Sequence, residues 1–353
     1  MKTLLRLLLK TQHQKNRSGP TQTEKGMTLV ELLIGAVMAF LIITPMLAFV
    51  VDMLNSDRRE QVKSNTEQDI QAAVDFIAED LSQAIYIYDN NTTTGIPELT
   101  KQKFIPTGAD KTPILVFWKR QQIKQSVPIN STIATPKTCD ATKCNDTYVL
   151  SLVAYYQFKD KDNTWCQPDG TAATCPTRIA RYEIRDGVRK PDPIVGDANL
   201  PYYNPSDTDE DTQQPDIAFN KDFDFTKPTQ NVTKPAELTK PKSGGSKPQV
   251  LVNYIDHNTP VQPLSATECQ TALGSPADPK TSQKLAETTL KVTDANTDSF
   301  YACVDTAKNI ARVTIRGNSL RRLQDSTVKS SAQNSAFFPT ATVQVQGRGA
   351  LGK

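Results

Sequence analysis

The chain has 353 residues, of which 37% are hydrophobic and 7% aromatic, with Pro (23) outnumbering Gly (15). That composition excludes a chain that is packed core throughout and predicts one modest globular domain with long irregular excursions. The net charge of +3 divides unevenly: Lys2, Arg6, Lys10, Lys15, Arg17 and Lys25 against Glu24 give +5 up to Gly26, leaving −2 beyond it, without the basic stripe that nucleic acid as a partner would require.

The first element follows the basic stretch. From Met27 to Leu54 the chain is apolar, with Glu31 and Asp52 its only charged residues. At about 1.5 Å per helical residue this run is long enough to cross a bilayer. A secretory signal peptide has a shorter apolar region and is cut after it, whereas the candidate cut here, after Gly26, precedes the run, so the segment is expected to stay as an anchor. Six basic residues on the amino side against Asp52 and Asp57 on the other place the leader in the cytoplasm and everything after Leu54 outside. The Leu-rich start, with its basic face, could lie on the inner membrane surface or be a disposable leader. Pro45 removes a backbone donor inside the bilayer half and is expected to kink the helix.

Beyond the apolar run, Val62, Ile70, Val74, Ile77, Leu81, Ala84, Ile85 and Tyr88 recur at spacings of three, four and occasionally more. The spacing predicts one long helix to about Tyr88, transmembrane over 27–54 and amphipathic over 55–88. Asp69, Asp75, Glu79 and Asp80 are expected away from the apolar stripe, which should pack on a sheet. Residues 89–353 read as a β-rich head. Strands are predicted at Ile114 to Trp118, Tyr148 to Phe158, Arg178 to Arg185, Val250 to Ile255, Arg312 to Arg316 and Thr342 to Gln346, antiparallel and with one face toward the helix. The stretch 186–249, rich in Pro, Asp, Thr and Lys and without a sustained period, reads as a long surface excursion.

Six cysteines fall in sequence pairs, Cys139 with Cys144, Cys166 with Cys175, and the more distant Cys269 with Cys303. Up to three disulfides, and an oxidising compartment, follow if proximity sets the pairing; six cysteines allow fifteen connectivities, and free thiols are the alternative. Two histidines, His13 and His257, cannot build a His-based metal or acid–base centre, and the cysteine spacings are not those of a zinc ribbon, so no metal or cofactor is expected. The run Asp207-Thr208-Asp209-Glu210-Asp211 lacks the glycine turn and the distant bidentate Glu of a calcium loop, and reads as a solvated acidic loop. With neither a phosphate-binding glycine loop nor a nucleophile elbow, the chain is not expected to be an enzyme.

The segment Lys25-Gly26-Met27-Thr28-Leu29-Val30-Glu31-Leu32-Leu33 resembles the type IV prepilin signature: a basic leader ending in Gly, then a hydrophobic helix with Glu five residues into the mature chain. Gly26 has no side chain to obstruct close approach of a peptidase. Glu31 stands where an ionised carboxylate is costly, which marks it as functional unless it snorkels to lipid headgroups. The resemblance implies that prepilin peptidase cuts after Gly26 and methylates Met27, and that Glu31 neutralises the amino terminus of a neighbouring subunit. Met27 departs from the Phe that many members carry there. The segment from Glu67 to Asp89, with Asp80-Leu81 followed by Ala84, resembles the outer helix of the larger minor pseudopilins. With the long insertion and short cysteine loops, the whole chain is most similar to the cyanobacterial hormogonium polysaccharide secretion pseudopilins, the C member in particular.

That resemblance implies a pilin-like α+β fold in which a kinked helix, half in the membrane, supports an antiparallel β-sheet. It also implies assembly with other pseudopilins on an inner-membrane platform driven by separate ATPases, in the service of polysaccharide secretion and gliding motility, with exported polysaccharide as a further partner. A large head suits a filament tip better than a shaft. The rivals are a minor pilin of a motility or DNA-uptake pilus and an uncut single-pass surface protein that binds carbohydrate.

Overall fold

The computed structural model describes residues 27–129, 136–159, 164–165, 177–190, 202–203, 213–224, 226–238, 248–259, 263–294, 297–323 and 329–348. The chain divides into two units, Met1–Asp57 and Arg58–Lys353, with the division inside the first helix, α1 (Leu29–Ser82).

In the first unit α1 opens at Thr28, whose hydroxyl accepts from the Glu31 amide at 3.3 Å while its carbonyl accepts from the same amide at 3.0 Å. Pro45 lies inside α1, which continues through it. Its missing N–H leaves one carbonyl of the preceding turn without the usual helical donor. One residue earlier, the Thr44 hydroxyl donates to the Phe40 carbonyl at 2.8 Å, a bond within the turn that also satisfies a polar side chain in an apolar stretch.

In the second unit the carboxyl half of α1 buries Thr66, Ile70, Ala73, Val74, Ile77, Asp80 and Leu81. The helix stops at Ser82, six residues short of the sequence expectation, and Ala84–Tyr88 forms strand β1 instead. Ile85-Tyr86-Ile87-Tyr88 is a β-branched and aromatic run that favours a pleated surface. Its backbone pairs with the next strand (Tyr86↔Trp118, Tyr88↔Val116), and that pairing decides against continued helix.

A short helix, α2 (Ile96–Lys101), leads to β2 (Lys111–Pro128), β3 (Cys144–Phe158), β4 (Thr177–Arg185) and β5 (Gln249–Ile255). These form a five-stranded antiparallel sheet in the order β1-β2-β3-β4-β5. Two more short helices, α3 (Glu268–Ala272) and α4 (Glu287–Leu290), precede β6 (Lys291–Thr293), β7 (Phe300–Asp305), β8 (Ile310–Arg316) and β9 (Thr340–Gln346). These last four strands make a second antiparallel sheet in chain order. The described residues therefore form two sheets where the sequence predicts one.

Both sheets share one core with α1. Ile70, Val74, Ile77 and Leu81 meet Phe117, Tyr155 and Ile179 of the first sheet and Phe300, Ala302, Val313 and Ile315 of the second. The end of β5 is stitched to the end of β8 by an Ile255–Gly317 bridge and by the Asp256 amide donating to the Arg316 carbonyl at 3.0 Å. Gly317 lies directly under the helix, where a Cβ would overlap Ile70 Cδ1 and stand 3.0 Å from Thr66 Cγ2.

The first sheet is covered on its other face as well, by α2 and by part of the stretch expected to be a surface excursion. Ala218, Phe219 and Val232 are buried there against Val116, Trp118, Tyr156 and Tyr182. The Trp118 ring stacks on Phe223 at 4.4 Å and meets Phe219 edge-on at 6.2 Å, while its Nε1 donates to the Tyr88 hydroxyl at 3.0 Å. The reading of 186–249 as surface throughout is thus corrected at Ala218, Phe219 and Val232, and also at Val188 and Tyr203, which are buried with Val149. A few apolar residues among polar neighbours suffice to cap a sheet face, and they carry no period. Cover on both faces also explains why Ile114–Lys119 is buried without alternation, whereas β9 alternates residue by residue.

Candidate functional site: an unburied apolar helix with one early carboxylate

In Met27–Leu54 every described residue is exposed, including Leu29, Leu33, Phe40, Ile43, Phe49 and Leu54. An 18-residue window of α1 reaches a mean hydropathy of 2.5 with none of it buried, so α1 is long and apolar enough to cross a membrane. Leaving so many large apolar side chains in water would forgo about 1.5–3 kcal/mol each, so this surface suits an apolar environment that none of the described residues provides.

Glu31 sits in the first turn of α1, and Met27, the residue just before the capping Thr28, is exposed. Thr28 and Glu31 have the spacing of a capping box, in which a carboxylate near the helix start opposes the positive end of the macrodipole. That local role accounts for a carboxylate in this turn but not for its place five residues after Gly26. Gly26 itself lies outside the described residues.

The head holds a second polar constellation that the sequence reading missed. Asp80, expected on the solvent face, is buried where α1 crosses the first sheet. Lys119 Nζ of β2 donates to Asp80 Oδ1 at 2.8 Å, while Arg181 Nε of β4 and the Tyr155 hydroxyl of β3 each donate to Oδ2 at 2.6 Å. Arg181 Nη1 also reaches Glu183 Oε2 at 2.6 Å. The Lys119 and Asp80 side chains are only 7% and 8% exposed. Burial alone would raise the Asp80 pKa, but the hydrogen bond from Arg181 and the nearby charges of Lys119 and Arg181 hold it below the usual carboxylate value. Burial and the Asp80 charge push the Tyr155 hydroxyl far up, so it remains a neutral donor. One helix residue is thereby fastened to three adjacent strands, and both Asp80 oxygens are satisfied within the cluster, which gives it an architectural role. The available signal was the coincidence of Asp80 with the apolar stripe, one residue before Leu81 and three after Ile77.

Cys139–Cys144 and Cys269–Cys303 are disulfide-bonded, as proximity suggested; the first closes the connection between β2 and β3 and the second joins α3 to β7. Cys166, Cys175 and the acidic run at Asp207–Asp211 lie outside the described residues. Among the described residues no group of three or more His, Cys, Asp or Glu side chains is placed to hold a metal ion. No protein-family profile, no curated protein and no solved structure matches this chain.

Proposed function

We propose that the chain is a pilin-like filament subunit, cut after Gly26 by prepilin peptidase, methylated at Met27 and assembled through its apolar helix. The observation that carries this reading is the pairing of an unburied apolar helix half with a separately cored head on one continuous α1, which starts at Leu29, the third residue after the cut implied by Lys25-Gly26-Met27. An exposed apolar helix suits both states such a subunit passes through. It can be solvated by lipid before assembly and by the equivalent helices of neighbours afterwards. Glu31 then has a partner in each state: headgroups or its own helix start in the membrane, and a neighbour's Met27 amine in the filament. The leader is cytoplasmic and the head lies outside the inner membrane, where the disulfides Cys139–Cys144 and Cys269–Cys303 would persist. The chain does no chemistry of its own in this reading. Within the class, the similarity to hormogonium pseudopilins favours polysaccharide secretion and gliding motility over a DNA-uptake or motility pilus.

The capping geometry of Thr28 and Glu31 supports one rival, an uncut surface anchor, because it explains Glu31 without assembly. The mature amino terminus separates the two. Mass spectrometry of membrane-extracted protein from cells with and without prepilin peptidase is expected to find methylated Met27 only when the peptidase is present. An intact Met1, or a cut after Leu54, overturns the proposal. Glu31→Gln is expected to leave cleavage and the melting of the head unchanged while abolishing incorporation into filaments.

A further inference from the structure

Within the second unit, a groove of about 620 Å³ runs between α1 and the outer edge of β5, lined by Asp69, Phe76, Trp165, Leu251, Asn253 and Tyr254 among others. β5 is the terminal strand of its sheet, and its pairing with β4 slips by one residue twice, between Thr177 and Ile179 and again between Ile179 and Ala180. Tyr254 lies at the first slip with a backbone φ of +61°, a conformation that is costly for a bulky side chain. Bulges of this kind re-aim side chains at sheet edges. The Tyr254 ring is packed by the Arg322 guanidinium at 4.7 Å, and Arg322 is itself paired with Asp69. Phe76 and Trp165 remain 43% and 36% exposed.

We propose that this groove is a binding site for a neutral oligosaccharide. Three arguments select that ligand. Two part-exposed aromatic side chains offer flat apolar surface for the C–H faces of pyranose rings. Asp69, Asn253 and Arg322 offer planar acceptors and donors suited to hydroxyl groups, and few polar groups in a mainly apolar groove are what orientation-specific small-molecule sites require. The Asp69–Arg322 pair neutralises itself, so the groove offers no net charge to a strongly anionic chain. The chief competitor is an extended peptide adding to the edge of β5. Two bulges break the regular row of backbone donors and acceptors that such a strand would need, as edges protected against pairing do.

The test is titration of the full-length chain in nanodiscs with cellohexaose, maltohexaose and a galactan hexasaccharide, read by calorimetry and tryptophan fluorescence. The chain has two tryptophans, and Trp118 is fully buried, so a fluorescence change on binding reports Trp165. The expected result is saturable binding of at least one neutral glycan, weakened about tenfold or more by Trp165→Ala and by Phe76→Ala, with Trp165→Phe removing the fluorescence change while retaining heat of binding. Circular dichroism of each variant checks that the head remains folded. Absence of binding to all three glycans overturns the proposal, as does binding that both alanine variants leave unchanged, or competition by an unrelated extended β-peptide at equal affinity. None of these outcomes depends on how Met27 is processed.

Discussion

The two halves of α1 are continuous in backbone and opposite in surroundings. From Leu29 to Leu54 large apolar side chains point outward on all sides, whereas from Thr66 to Leu81 the apolar residues form one buried stripe, with Phe76 alone of the large ones left part-exposed beside it. A helix apolar all round asks for lipid or other helices as its solvent; a helix with one apolar stripe asks for a sheet. The same backbone geometry thus yields an exposed apolar surface in one half and a core element in the other.

The largest expected effect tests whether the head end of the helix depends on Asp80. Asp80→Ala removes the carboxylate hydrogen-bonded to Lys119 and leaves Lys119 and Arg181 sharing Glu183, at 4.0 Å and 2.6 Å, among groups the fold has already desolvated. Breaking such a buried network costs about 3–5 kcal/mol, measured by chemical denaturation of the detergent-solubilised chain. The acid limb should change as well. Because the folded pKa lies below the usual aspartate value, ionised Asp80 stabilises the fold above that value, and the contribution is lost as pH falls from there through the folded pKa. Asp80→Asn is therefore expected to flatten the loss of stability below about pH 4. An unchanged acid limb would remove Asp80 from the account.

A smaller effect sharpens the contrast directly. Ile77→Ala is expected to cost about 2–5 kcal/mol of head stability, because Ile77 is completely buried among both sheets. Leu33→Ala, in the exposed half, is expected to change the same unfolding transition by less than about 0.5 kcal/mol. Equal losses would mean that the two halves do not have separate surroundings. Smaller again, Gly317→Ala is expected to cost about 1–3 kcal/mol, since its methyl group would enter the space of Ile70 and Thr66 and force the helix off β8. A neutral result would show that the contact is loose enough to yield.

The sequence by itself determined the features whose physics is local. A long apolar run is legible without a fold because an apolar surround asks nothing of distant residues, and the Lys25-Gly26-Met27 motif with Glu31 is contained in seven consecutive residues. The strands at Ile114, Tyr148, Arg178, Val250, Arg312 and Thr342 were legible because β-branched and aromatic residues cluster there. β7 carried a comparable signal in the unbroken run Phe300-Tyr301-Ala302-Cys303-Val304, which an alternation criterion overlooks because that strand is buried throughout. Only the tertiary structure decided the rest. The helix ends at Ser82 because β2 offers Ile85–Tyr88 an edge to pair with, a partner some 30 residues away. Asp80 points inward because Lys119, Tyr155 and Arg181 converge on it from three strands. Ala218, Phe219 and Val232 become core because the second face of a sheet must be covered by whatever chain can reach it, and a sheet has no second face until its strands are paired.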